Sequence, residues 1–132
     1  MKDKDLAIVF DCGATSIRVI AMDVKGKICA VKALPNETNE DPNLKNGRIW
    51  DIEKIWGKFK TSAQSVTSEI DTSRIAGVTI TTFGVDGGVV DKNGELIYPV
   101  ISWQCNRTQP IMKAIDKYIP LEKLYNINGN YP

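Results

Sequence analysis

The residues best suited to chemistry stand together near the start of the chain. Asp11-Cys12-Gly13-Ala14-Thr15-Ser16-Ile17-Arg18 follows an apolar run over residues 6–10 and precedes Val19-Ile20-Ala21-Met22. An acid where a buried strand opens, a Gly turn carrying two hydroxyls and a return strand begun by Arg make a cradle for phosphate and metal. Gly13 lets the backbone turn tightly and approach a ligand, so that successive N–H groups can face an anion. Thr15 and Ser16 add hydroxyl donors, and Arg18 adds fixed positive charge. Asp11 would repel phosphate unless a cation lies between them, and Mg²⁺ held by one carboxylate and waters answers that need. Asp11 is therefore the metal candidate. The stretch fits neither G-x-x-x-x-G-K-[ST] nor G-x-G-x-x-G, and apolar residues resume at Ile17, so the turn leads into a strand and not a helix. The same composition also suits an ordinary hairpin whose Asp, Thr and Ser satisfy their own turn, and residues further along separate the two.

A second acid-bearing glycine turn supplies that separation. Residues 75–82 read as a strand that pairs parallel to the first through a helical crossover, and they end in Thr81-Thr82-Phe83-Gly84-Val85-Asp86-Gly87-Gly88. In open α/β sheets ligands gather beyond the carboxyl ends of the strands, where both turns would lie. The absence of histidine rules out Ser-His-Asp and Cys-His catalysis and His-based zinc sites in this chain. Any general base must be a carboxylate.

The elements that position these turns follow from periodicity. Strands over residues 6–10, 17–23 and 27–34 form an antiparallel meander, the last two joined by Asp23-Val24-Lys25-Gly26. Residues 35–47 are polar and aperiodic, which predicts a mobile loop. From Asp51, its N-cap, Ile52, Ile55, Trp56, Phe59, Ala63, Val66 and Ile70 recur at helical spacing, with Trp56 and Phe59 expected in the core. Residues 89–98 repeat the D-x-x-G hairpin form of residues 21–30. A helix from Thr108, with Pro110 in its first turn, would bury Ile111, Met112 and Ile115 and stop before Pro120; one further turn over 121–125 leads to a loop over 128–132.

Composition bounds the rest. One domain accounts for 132 residues, and 17 basic against 16 acidic residues leave no electrostatic footprint for nucleic acid or an anionic membrane. Hydrophobic content of 42% and charged content of 25% are those of a soluble globular protein. The charged N-terminus and short apolar run resemble neither a signal sequence nor a membrane span, so a cytoplasmic location is expected. Cys12, Cys29 and Cys105, odd in number and widely spaced, read as reduced and mostly buried thiols.

With both turns in hand, the chain resembles the FGGY family of carbohydrate kinases, actin-like ATPases with a ribonuclease H-like α/β fold. The carrying residues are 10–18, 81–87 and the run Tyr98-Pro99-Val100-Ile101-Ser102-Trp103-Gln104-Cys105-Asn106-Arg107-Thr108. Within the family the combination looks most like the kinases of L-fuculose, with those of rhamnulose next. The resemblance implies that residues 1–132 form an incomplete first lobe with a mixed sheet and flanking helices, and that ATP and Mg²⁺ are cofactors. It assigns Asp11 to the metal, Gly13, Ala14, Thr15 and Ser16 to the ATP phosphates and Arg18 to the support of their loop. It assigns Gly84, Val85 and Asp86 to the sugar site, with Trp103 and Arg107 beside it. A carboxylate accepts sugar hydroxyls and an aromatic face suits the apolar face of a sugar. The plainer alternatives are core packing for Trp103 and a solvated position for Arg107. The family's general base lies beyond residue 132, so this chain would need the rest of its own kinase chain and, alone, would be inactive and prone to self-association. A non-catalytic actin-like module that binds nucleotide or sugar is the alternative from another class.

Overall fold

The computed structural model describes residues 4–130, and the expected loop end at Tyr131-Pro132 lies outside them. Three antiparallel strands open the chain: β1 (Leu6–Cys12), β2 (Ser16–Asp23) and β3 (Ile28–Pro35). After two short strands, β4 (Asn39–Glu40) and β5 (Arg48–Trp50), comes the helix α1 (Ile52–Ser68), and then β6 (Ile75–Thr82) returns parallel to β1. The main sheet has the order β3-β2-β1-β6. It is a mixed sheet with the antiparallel meander and the parallel crossover that the sequence predicts.

Strand alternation decides which side chains meet α1. On β1 Leu6, Ile8 and Cys12 are buried, and on β2 Ile17, Val19 and Ala21 are buried on the same face. The helix lays Ile55, Phe59, Ser62 and Val66 against them, with Phe10 and Phe59 edge to face at 5.2 Å between ring centroids. Its start is fixed by Asp51, whose carboxylate accepts the Lys54 N–H at 3.0 Å. Trp56 departs from expectation: it is half exposed, because the buried positions run 55, 59, 62 and 66 and Trp56 lies one step off that stripe. The entry of β1 is tied to that of β6 by Arg74, which grips both carboxylate oxygens of Asp5 at 2.7 and 2.8 Å.

A second small sheet, β4-β5-β7, is completed by β7 (Val100–Ile101). Residues 35–47 are therefore not simply a loop: they carry β4 and bury Asn36 and Asp41. The two D-x-x-G turns are the same structure twice. Asp23 accepts the amides of Lys25 and Lys27, and Asp91 accepts those of Asn93 and Glu95. Gly26 and Gly94 close the turns at φ of 81° and 87°, in the left-handed region that only glycine enters freely. Around Asp91 the flanking strands reduce to a single bridge, Val90 to Leu96. The expected helix from Thr108 breaks into a four-residue helix, α2 (Gln109–Met112), and a 3₁₀ turn over Ile115–Lys117. Ile111 is exposed and Met112 and Ile115 are only half-buried, so no packed face holds a longer helix together. A last helix, α3 (Leu121–Asn128), runs two turns and ends at Gly129. No helix among the described residues is long and apolar enough to cross a membrane.

Candidate functional site

The parallel register places Asp11 beside Thr81 and Cys12 beside Thr82, so the two glycine turns leave the sheet side by side. In the first turn the Gly13 N–H donates to the Ser16 carbonyl at 2.9 Å, and a Cβ on Gly13 would lie 2.7 Å from that oxygen. No side chain fits there. Closing the turn uses the Gly13 amide, which is then no free donor to an anion; the Ala14 and Thr15 amides have no hydrogen-bond partner among the described residues. Asn36 holds the turn in shape, donating from Nδ2 to the Gly13 carbonyl and from its backbone N–H to the Thr15 carbonyl, both at 2.9 Å. Lys58 of α1 in turn reaches Asn36 Oδ1 at 3.3 Å.

Asp11 and Arg18 face each other across the β1–β2 ladder. Arg18 Nε donates to Asp11 Oδ2 at 2.7 Å and Nη2 lies 2.5 Å from the same oxygen. Arg18 thus fixes the aspartate at the edge of the turn and leaves Oδ1 without a protein partner among the described residues. No group of three or more metal-ligating side chains occurs among the described residues. One open carboxylate oxygen beside a hydroxyl-bearing turn fits Mg²⁺ that arrives on phosphates with its waters, and does not fit an all-protein cage.

The second turn opens onto a cleft of about 270 Å³ whose walls include Val85, Asp86, Trp103, Cys105 and Arg107. Four of the five residues that the resemblance assigns to the sugar site thus line one space; Gly84 sits next to them in the chain and is exposed. Trp103 is 57% exposed and so is not packed into the core of the described residues. Asp86 is half-buried and accepts the Trp50 indole N–H at 2.5 Å.

Arg107 is not a solvated residue either. Its Nη2 donates to Asp41 Oδ2, its Nε to Cys105 Sγ at 3.2 Å, and its guanidinium lies over the Tyr98 ring at 5.7 Å. The Asp41 side chain is fully buried and also accepts the Tyr98 hydroxyl at 2.9 and 3.0 Å. Burial pushes the Asp41 carboxyl upward, but the Asn43 amide, the Tyr98 hydroxyl and Arg107 outweigh it and hold the group below the usual carboxylate range. Burial likewise pushes the Cys105 thiol up, and its bonds from Arg107 and from backbone donors bring it below the ordinary thiol value. Bonded to Cys105, Asp41 and Tyr98, the guanidinium is held charged more firmly than a free arginine.

Sequence reasoning missed Asn36, Asp41, Trp50 and Tyr98. Only burial of a polar residue in an otherwise exposed segment marks the first two, and the chain alone does not display it.

A mixed sheet with a strand-turn-strand cradle and a cleft at its carboxyl edge defines an α/β domain of the actin-like ATPase fold. The solved structure of a ligand-bound xylulose kinase from Lactobacillus acidophilus superposes with a TM-score of 0.76 at 18% identity, over 92% of this chain and 24% of that one. Plasmodium falciparum glycerol kinase with ADP gives 0.70 at 16% identity, over 98% of this chain and 26% of that one. Residues 6–131 match the N-terminal domain of the FGGY family of carbohydrate kinases, and the chain belongs to that family. It is 41% identical over 129 residues to an L-fuculokinase of Haemophilus influenzae, across 94% of this chain and 27% of that protein. The chain therefore spans about a quarter of the length of the curated relatives it matches.

Proposed function

We propose that residues 1–132 are the opening part of the first lobe of an ATP-dependent sugar kinase that phosphorylates a deoxy-ketose such as L-fuculose. One observation carries the reading: the cleft that holds Val85, Asp86, Trp103 and Arg107 opens beside the Gly13 turn at the same sheet edge. The likeness to L-fuculokinase over nearly the whole chain supports the choice of sugar class. Mg-ATP supplies the γ-phosphoryl group. In this reading Gly13, Ala14, Thr15 and Ser16 receive its phosphates, Arg18 keeps Asp11 oriented, and Asp11 Oδ1 meets the metal or its waters. Asp86 and Arg107 offer the sugar an acceptor and a charged donor, and the exposed face of Trp103 takes an apolar face of the ring or chain.

No carboxylate of this chain is assigned as the general base. We place that base, and the adenosine-binding residues, in the remainder of a protein as long as its relatives, and the whole in the cytoplasm. Phosphoryl transfer depends on positioning and charge stabilisation in a closed cleft, and one wall of it supplies little of either. The isolated chain is accordingly expected to bind Mg-ATP weakly and to turn over no sugar. ADP release at a normal kinase rate from this chain alone would defeat the reading.

The direct test uses the full-length protein and a panel of ketoses. Asp86→Ala should abolish sugar binding and leave nucleotide binding in place. Equal loss of both, or of neither, would favour the non-catalytic module.

A further inference from the structure

Trp50 is 1% exposed at the end of β5, yet its indole is not merely core. Nε1 donates to Asp86 Oδ2 at 2.5 Å, while the ring stacks on Phe83 with centroids 4.7 Å apart and planes 19° from parallel. A buried indole N–H needs an acceptor, and many carbonyls could serve. Here the acceptor is a carboxylate on the wall of the sugar cleft, carried by a segment that has glycine on either side, at Gly84 and Gly87, and no regular structure. Such a segment does not by itself fix the direction of its side chain. The charge-assisted bond does, because it turns Oδ2 toward the protein and leaves Oδ1 with no partner among the described residues.

We propose that Trp50 is a positioning residue for the sugar site: by occupying Oδ2 of Asp86 it makes Oδ1 the acceptor presented to substrate and sets its direction. The proposal rests on the kinase reading above. A carboxylate held in place before the sugar arrives loses less rotamer freedom on binding, and its hydrogen bonds are aimed at one arrangement of hydroxyls. A purely structural Trp50 would matter only through its ring.

The two roles separate in Trp50→Phe, which keeps an aromatic ring against Phe83 and lacks the N–H. In the full-length protein, with the ketose selected by the panel, this change should raise KM about tenfold and lower kcat much less. Phe83→Leu removes the stack and keeps the N–H, so it should move KM less than Trp50→Phe does. A KM for Trp50→Phe within about twofold of wild type overturns the proposal and leaves the kinase reading intact. If wild type phosphorylates no ketose, both fall. Should Trp50→Phe fail to fold, the ¹⁵N indole resonance of Trp50, assigned through its contact with the Phe83 ring, decides the matter. Asp86→Ala should move it and speed its exchange with solvent, and an unmoved resonance overturns the proposal.

Discussion

β1 and β6 are hydrogen-bonded neighbours, and their register sets Ile8 beside Val78 and Phe10 beside Ile80 on one face of the sheet. Ile8 is 3% exposed, whereas Val78 is 67% and Ile80 63% exposed. Residue type and strand pattern are alike in the two columns; what differs is cover. Helix α1 packs over β2 and β3, with Phe59 reaching Phe10 of β1, and its face ends in the half-exposed Trp56. Beyond it, Phe10, Trp56, Val78 and Ile80 line an open apolar hollow of about 310 Å³. An apolar strand face records what a protein can bury, and the helix decides what this part of it does bury.

The largest effects are expected on the covered side. Phe59→Ala removes a ring that is 2% exposed and should cost about 3–5 kcal/mol, enough to unfold much of a population of a small domain. Ile80→Ala, one strand away, should stay within about 0.5 kcal/mol. Urea unfolding of this chain measures both. Equal losses would mean that β6 is covered in solution, and the contrast between the two columns would be lost.

The small second sheet adds a polar counterpart to that comparison. The Asp41 side chain is as fully buried as Val66, yet it is held by donors and not by packing. Its folded-state pKa lies below the ordinary carboxylate value of about 3.9. The stabilisation it brings is therefore complete above that pH and is lost as pH falls through the lower folded value. Wild type should lose stability as pH falls from about 5 and through the lowered folded value, and Asp41→Asn should start lower at neutral pH and fall less steeply. Equilibrium unfolding at several pH values checks this. An identical slope in the variant would assign the acid sensitivity to Asp5, whose carboxyl is lowered mainly by its hydrogen bonds from Arg74, or to Asp91, lowered mainly by the amides of its turn.

What could be read from the chain divides along the same lines. The meander, α1 and β6 show themselves through periods of two and about three and a half residues, because each carries a recurring apolar side whether or not the fold covers it. Asp11 and Asp86 were legible because each sits in a glycine turn after an apolar run. The bonds from Trp50 to Asp86 and from Arg107 to Asp41 join residues 36 and 66 positions apart, and no local pattern encodes a contact between two side chains that only the fold brings together. Strands of two or three residues, such as β4, β5 and β7, are too short to show alternation. For residues 108–119 the spacing of Ile111, Met112 and Ile115 was helical, but with no surface to bury them against, local propensity gives only one turn at a time.

A smaller effect runs against the simple rule that changes on the covered side destabilise. Ser62 of α1 has no solvent exposure, and its Oγ has no hydrogen-bond partner among the described residues. An unpaired buried hydroxyl is unfavourable, and alanine is the better helix former. Ser62→Ala should raise stability by about 1 kcal/mol. A loss of that size in urea unfolding would show that the hydroxyl finds a partner in solution.

The smallest change in folding stability should accompany the largest change in behaviour. Val78 and Ile80 sit on a strand whose outer edge carries no partner among the described residues, so the apolar hollow adjoins a row of free backbone groups. That combination is a template for pairing with another strand. At high concentration the isolated chain should therefore sediment as a mixture that grows with concentration. Replacing both residues by Lys places charge on solvated positions, so urea unfolding should change by no more than about 0.5 kcal/mol. The same charges must lose their solvation if a second sheet or helix closes over the hollow, which is unfavourable without a partner. The double variant should consequently sediment as a monomer. Self-association unchanged by the two lysines would place the contact elsewhere, and a wild-type chain that stays monomeric would show that an open apolar column can remain solvated.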